Sequence, residues 1–212
     1  MTERAALERG LQELGLALQG DSCDRLIAYV ALLTKWNRNY NLTAVREPRD
    51  MVSHHLLDSL AVLPHLPVAG RSVRVADVGT GAGLPGIPLA LARPHWQVTL
   101  VESNQKKVAF LRQATIELEM RNTAVHEGRV EAWRPAALFD IVISRAFAEL
   151  AEFVAACGHL LAPGGMLAAM KGKRPDAELK KLSADVQCKS VIRLRTPQLD
   201  AERHLVLCEP KA

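Results

Sequence analysis

The hydrophobic period of the chain changes at Ser72, and that change limits the folds open to it. Upstream, apolar residues recur at helical spacing. Leu7, Leu11, Leu14 and Leu18 form one helical face that Gly20 can end. Asp21 or Ser22 can cap a second helix with Leu26, Val30 and Leu33 inward. Val52, Leu56, Leu60 and Leu63 align on a third helix after Pro48, and Pro64 and Pro67 close the helical region. Downstream, strands are expected at 72–78, 97–101, 122–127 and 139–144, with helices at about 84–93, 104–119 and 148–161. Pro163, Gly164 and Gly165 form a turn before a fifth strand that ends at Lys171. A charged helix near 175–184 and a closing pair of strands near 187–195 and 203–209 complete the chain. Strands that alternate with helices imply an α/β fold, a mainly parallel sheet covered on both faces. Seven strands are expected, one of them antiparallel near the end. Ligands bind such sheets at the carboxyl ends of the strands. The loops after Val78, Val101, His126 and Ser144 should therefore form one site.

Composition sets outer bounds. The chain has 212 residues, 49% apolar and 24% charged, enough for one domain with a real core and an extension. A net charge of +4 permits a polyanionic partner without requiring one. Aromatic residues are only 4%, few for a protein that reads single strands by serial stacking. Cys23, Cys157, Cys188 and Cys208 are scattered with no CxxC pair, which argues against a metal site or a disulfide framework and fits reduced thiols in a cytosol. The start MTERAALERG is charged and does not read as a signal peptide. The uncharged stretch 153–170 is broken by Pro163-Gly164-Gly165, so it is not expected to span a membrane.

The first βα loop carries DVGTGAGLPGIPLA, residues 77–90, with glycines at Gly79, Gly81 and Gly83. Glycines let backbone N–H groups approach a ligand closely, and the following helix start adds partial positive charge. A dinucleotide loop of the form GxGxxG would need glycine where Leu84 stands, and no Gly-Lys-Ser/Thr follows as in a P-loop. The DxGxGxG form instead resembles the cofactor loop of S-adenosylmethionine-dependent methyltransferases. Asp77 would position that loop or meet the donor's ammonium group. Glu102 closes the second strand, where a carboxylate can accept from both ribose hydroxyls. In the loop HEGRVEAW, 126–133, Val130 can pack on an adenine ring and the backbone or Glu131 can meet its amine. Taken singly, each of these features also fits a tight corner, a surface acid or a capped helix start.

The fourth loop, SRAF at 144–147, has no Asn/Asp-Pro-Pro-aromatic motif and no cysteine nucleophile, which leaves Arg145 as its charged group. Arg145 holds a cofactor or target base, or simply pairs with a nearby acid. Lys171, Lys173 and Arg174, in KGKR, sit at the site end of the fifth strand and are candidates for the phosphates of a polyanion, which the resemblance below makes RNA, as are Lys35, Arg38, Arg46 and Arg49. His55 and Asp58 are close enough on one helix to bond each other or a cap.

These residues together resemble the bacterial small-subunit ribosomal RNA guanine-N7 methyltransferases, the RsmG or GidB family. The most specific part is KWNRNYNLTAVREPRDMVSHHLLDSL, 35–60, with Trp36, Asn37, Asn41, Leu42, Thr43, His55, Asp58 and Ser59. DVGTGAGLPGIPLA, SRAFA and RHLV at 203–206 also agree, while His54 and Ala82 depart from the common pattern. The resemblance implies a Rossmann-like methyltransferase fold with an amino-terminal helical extension, residues 1–68 before a catalytic domain at 69–212. It also implies a cytoplasmic enzyme that methylates one guanine in the 530 loop of 16S rRNA, position 527 in ribosomal numbering. The donor would be S-adenosylmethionine, and the partner 16S rRNA or the small subunit. Gly79, Leu84, Val130, Glu131 and Arg145 would be cofactor contacts. A monomer is expected. A nicotinamide-dependent oxidoreductase, a methyltransferase of another RNA and an RNA-binding module without catalysis are the alternatives.

Overall fold

The computed structural model describes residues 2–66, 68, 72–145, 147 and 149–211. Pro67, the boundary drawn at residue 69, and Ala146 lie outside the described residues. Among those described, seven strands form one sheet in the order β3-β2-β1-β4-β5-β7-β6. They are β1 Arg74–Val78, β2 Gln97–Glu102, β3 Thr123–Glu127, β4 Phe139–Arg145, β5 Leu161–Lys171, β6 Val186–Leu194 and β7 Arg203–Pro210. β7 runs antiparallel to both β5 and β6, and the other neighbouring pairs are parallel. The expected architecture is therefore present, with its antiparallel strand between β5 and β6.

Successive residues of the central strands enter two separate cores, because strand side chains alternate between faces. Val75, Val98, Leu100, Ile141, Ile143, Ala168 and Leu205 belong to one, which also takes in the amino-terminal helices. Ala76, Val101, Val142, Leu167, Ala169 and Val206 belong to the other. The helices are α1 Glu3–Glu13, α2 Ser22–Tyr40, α3 Pro48–Met51, α4 Asp58–Leu60, α5 Gly86–Ala92, α6 Gln105–Glu117, α7 Leu150–Cys157 and α8 Asp176–Leu179. A π-helical turn, Val52–Leu57, joins α3 to α4. It keeps Val52, Leu56, Leu60 and Leu63 on the buried face, as the spacing required.

Local chemistry shortens or moves several expected elements. α1 stops at Gly15, five residues before Gly20. Gly15 takes a φ of +65°, and Leu16 N donates to Leu11 O at 2.9 Å, the glycine C-cap geometry. Asp21 makes no side-chain cap bond; Ser22 Oγ instead donates to Leu91 O at 2.8 Å and ties α2 to α5. Pro163-Gly164-Gly165 does not separate a helix from a strand. It is a bulge inside β5, where the register against β4 jumps from Phe139↔Leu161 to Ile141↔Met166. Gly165 is required there, since a Cβ would lie 2.8 Å from Phe139 O. The charged helix near 175–184 contracts to α8.

Candidate active site

The carboxyl ends of β1, β2, β3 and β4 bring the four expected loops together. Asp77 ends beneath the glycine loop, fully buried. Its Oδ2 accepts from Thr80 Oγ1 at 2.5 Å and Gly86 N at 2.7 Å, so it fastens the loop to the start of α5. Burial raises its carboxyl to about 6, against the opposing pull of those two hydrogen bonds and of Arg145. The structure thus gives Asp77 the loop-positioning role of the two considered. Tyr29 OH reaches from α2 to Ala82 O at 2.7 Å, so the amino-terminal helices hold the same loop.

The three glycines differ in what surrounds them. All have positive φ, +67° at Gly79, +61° at Gly81 and +92° at Gly83. Gly79 is exposed, and a Cβ there would meet nothing within 4 Å, so its backbone faces open space. Gly83 is closed off, because a Cβ would meet Ile87 Cδ1 at 2.3 Å and Leu111 Cδ2 at 3.2 Å. The Leu84 side chain is likewise in the core, and its N–H donates to Thr80 O at 2.9 Å.

Glu102 bonds three backbone donors. Its Oε1 accepts from Ser103 N and Asn104 N, both at 2.9 Å, and its Oε2 accepts from Gly81 N at 3.0 Å. Gly128 N donates to Glu102 O at 3.0 Å and draws in the third loop. There Val130 is buried, Glu131 is exposed, and the His126 ring stacks on Trp133 with centroids 4.3 Å apart. Gly79, Glu102, Val130, Glu131 and Phe147 surround a pocket of about 110 Å³. Open backbone at Gly79, an acid at its rim and an apolar floor at Val130 fit an adenosine-type cofactor. With three N–H groups and any ribose depending on it, Glu102→Ala is expected to weaken S-adenosylhomocysteine binding about 10- to 100-fold, with Glu102→Gln in between. Calorimetric titration checks this, and a loss under about threefold would remove Glu102 from the site.

A second cleft of about 590 Å³ adjoins the first, with Phe147 lining both. Arg145 lines it, three-quarters buried, with Nη1 donating to His54 O at 3.1 Å and Asp58 Oδ2 at 3.3 Å. His55 and Asp58 do not bond each other. The His55 Nε2 pairs with Thr43 Oγ1 at 2.9 Å, while Asp58 pairs with Arg145 and with Arg203 Nε at 2.9 Å. Burial, then the charge of Arg145, lowers His55 to about 4. Asn37 organises the preceding segment, accepting from Thr43 N at 2.9 Å and donating to Val45 O at 3.2 Å. Much of the 35–60 signature is therefore structural. The KGKR run divides. Lys171 is turned inward, its side chain 9% exposed, and Nζ donates to Glu178 Oε2 at 2.7 Å and Phe147 O at 3.1 Å. Lys173 and Arg174 are exposed, Arg174 pairing with Asp176 at 2.8 Å. Sequence reasoning missed the Asp58–Arg203 contact; 145 residues separate the pair, and no local pattern signals it.

The family model for rRNA small subunit methyltransferase G, GidB, matches residues 22–206. The chain belongs to that family. It is 52% identical to the ribosomal RNA small subunit methyltransferase G of Burkholderia thailandensis, over 98% of this chain and 92% of the relative. Against the protein of the same name from Ralstonia nicotianae the identity is 53%, over 99% and 96%. The structure of the glycopeptide N-methyltransferase MtfA aligns with a TM-score of 0.61 at 14% identity, covering 74% of this chain and 92% of that one. That likeness concerns the fold alone, which is the Rossmann-like methyltransferase fold. GidB proteins use S-adenosylmethionine, and the lining of the small pocket suits its adenosine part. Among the described residues of this GidB chain, no helix is long and apolar enough to cross a membrane.

Proposed function

We propose that the chain transfers the methyl group of S-adenosylmethionine to N7 of one guanine in the 530 loop of 16S rRNA. The family match over residues 22–206 carries this reading. Two adjoining clefts at one end of the sheet, one suited to a cofactor and one lined by arginine, support it. The bound donor supplies a methyl group already activated on a sulfonium. Guanine N7 has a lone pair and no proton at neutral pH, and it lies on the major-groove edge. No general base is required. The chain's task is alignment, which can contribute on the order of 7–11 kcal/mol in favourable cases. Gly79 and Gly81 present backbone and Leu84 roots the loop in the core, while Asp77 and Glu102 fix the loop that carries them. Val130 and Glu131 bound the adenine end. Arg145, beside the shared wall at Phe147, holds the cofactor or the guanine and moves no proton. The chain acts as a monomer in this reading, since the exposed large apolar side chains among the described residues, Tyr40, Ile116 and Leu138, lie on three different segments.

Lys173 and Arg174, at the rim, are placed for RNA phosphates. Each phosphate contact contributes about 0.7–0.9 to the slope of log affinity against log salt. Replacing both with alanine should therefore lower that slope by about 1.5 and weaken binding without moving the modified base. Titration of small subunits at several salt concentrations checks this, and an unchanged slope would take both residues off the RNA face. The reaction itself is tested by labelled methyl transfer to small subunits that lack the modification, with naked 16S rRNA beside them. Cleavage at 7-methylguanine maps the product. One site in the 530 loop is expected. Modification elsewhere, or of neither substrate, would overturn the assignment, as would tighter binding of a nicotinamide dinucleotide than of S-adenosylmethionine.

A further inference from the structure

Three segments distant in sequence meet at one buried carboxylate. Asp58, on α4, is 1% exposed. Its Oδ2 accepts from Arg145 of β4 at 3.3 Å, and its Oδ1 accepts from Arg203 of β7 at 2.9 Å. Each arginine has a second anchor, Arg145 Nη1 on His54 O and Arg203 Nη1 on Glu202 O at 2.9 Å. All three side chains line the 590 Å³ cleft, and each arginine side chain stays about a quarter exposed. Without Asp58 the two guanidinium groups would repel and separate. With it the trio carries a net single positive charge, and Nη2 of each arginine has no partner among the described residues.

A nucleotide offers such a pair two acceptors of suitable kind, guanine O6 and a phosphate oxygen. An unrestrained arginine prefers a bidentate grip on O6 and N7 together. That grip would occupy the lone pair that must attack the methyl group. Both forks of Arg203 include a nitrogen already bonded, Nε to Asp58 or Nη1 to Glu202 O, so it meets O6 through Nη2, whereas Arg145, held through Nη1, keeps Nε and Nη2 for a phosphate. We propose that Asp58 is a positioning residue, which sets Arg145 and Arg203 side by side in the cleft wall to hold the target guanosine by O6 and phosphate with N7 free. This rests on the methyl-transfer reading above.

The test compares wild type, Asp58→Asn and the charge-balanced double variant Asp58→Asn/Arg203→Gln on under-methylated small subunits. For Asp58→Asn the single-turnover rate should fall at least about 30-fold, since misplaced reacting groups lose rate steeply. Particle KM should stay within about threefold, because phosphate contacts elsewhere supply most of the affinity. Affinity for S-adenosylhomocysteine should also stay within about twofold, as the small pocket is untouched. The Tm should drop in Asp58→Asn and recover in the double variant, while the rate stays low in both. An Asp58→Asn enzyme within about threefold of the wild-type rate would overturn the proposal, as would a double variant that regains both Tm and rate. If Asp58→Asn does not fold, the double variant decides alone. A wild-type enzyme that methylates neither substrate would overturn the reaction and this role together, whereas failure of the role alone leaves the wild type active.

Discussion

Asp77→Ala is expected to lower folding stability by about 2–4 kcal/mol and cofactor affinity by about 100-fold, whereas Asp77→Asn should keep most of both. Alanine leaves Thr80 Oγ1 and Gly86 N as buried donors with no acceptor, and each such orphan costs about 1–3 kcal/mol. A Cβ added at Gly86 would already lie 2.7 Å from Asp77 Oδ2 and 2.3 Å from Leu100 Cδ2, so backbone and carboxylate are in close contact. Asparagine puts a carbonyl oxygen in the same place and removes the charge whose burial is unfavourable. The affinity falls because Gly79 and Gly81 sit on the loop that Asp77 fastens to α5. Urea unfolding and calorimetric titration check the two halves. An Asp77→Ala protein as stable as wild type, or an Asp77→Asn protein as damaged as Asp77→Ala, would contradict this account.

The same residue gives a pH signature. Asp77 titrates near 6 in the fold against an ordinary 3.8, so between those values the folded chain holds a proton that the unfolded chain has released. Stability contributed by Asp77 is therefore lost as pH rises from about 4 to 6, on the order of 3 kcal/mol. His55 acts in the opposite sense. It titrates near 4 in the fold against 6.5, so the unfolded chain binds the extra proton and stability rises with pH from about 4 to 6.5. The two contributions offset in wild type. Asp77→Asn should unmask the histidine, giving stability that climbs over that window where wild type is nearly flat. Unfolding midpoints at four or five pH values check it, and parallel curves for the two proteins would refute it.

What the sequence carried and what it did not divide by the range of the interaction. The strands were legible because short apolar runs are a local signal, and both faces of β1, β2 and β4 are covered as the succession of strands and helices implied. The glycine loop and Glu102 were legible because their spacing along two strands fixes where they end. Gly15 displaced Gly20 as the stop of α1 because either glycine can adopt the left-handed conformation, and both do, at φ of +65° and +55°. The bulge at Pro163 depends on β4 lying alongside, which a one-dimensional reading of Pro-Gly-Gly cannot contain. Lys171 looked like its neighbours in KGKR, yet burial against Glu178 from α8 spends its charge inside the protein. The Asp58 cluster is the extreme case. Its members sit on three elements, and only the folded sheet brings them to one cleft.

Arg145→Ala is expected to cut turnover on small subunits by at least about 100-fold, a loss of about 3 kcal/mol of transition-state stabilisation. The side chain is three-quarters buried at the wall between the two clefts, so its removal opens space where the reacting groups must align. It also leaves Asp58 with Arg203 as its remaining cation, which shifts the second arginine as well. Arg145→Lys should fall between, since an ammonium restores the charge but not the planar fork. The split between parameters locates the contact. A loss confined to the rate, with S-adenosylhomocysteine affinity unchanged, assigns Arg145 to the guanine, whereas a matching loss of that affinity assigns it to the cofactor. Because N7 carries no proton, the residual rate should show the same pH dependence as wild type, with no acid–base limb removed. A pH profile that loses a limb in Arg145→Ala would mean that the residue tunes a proton-transfer group. An alanine variant with full activity would return Arg145 to a purely structural ion pair with Asp58.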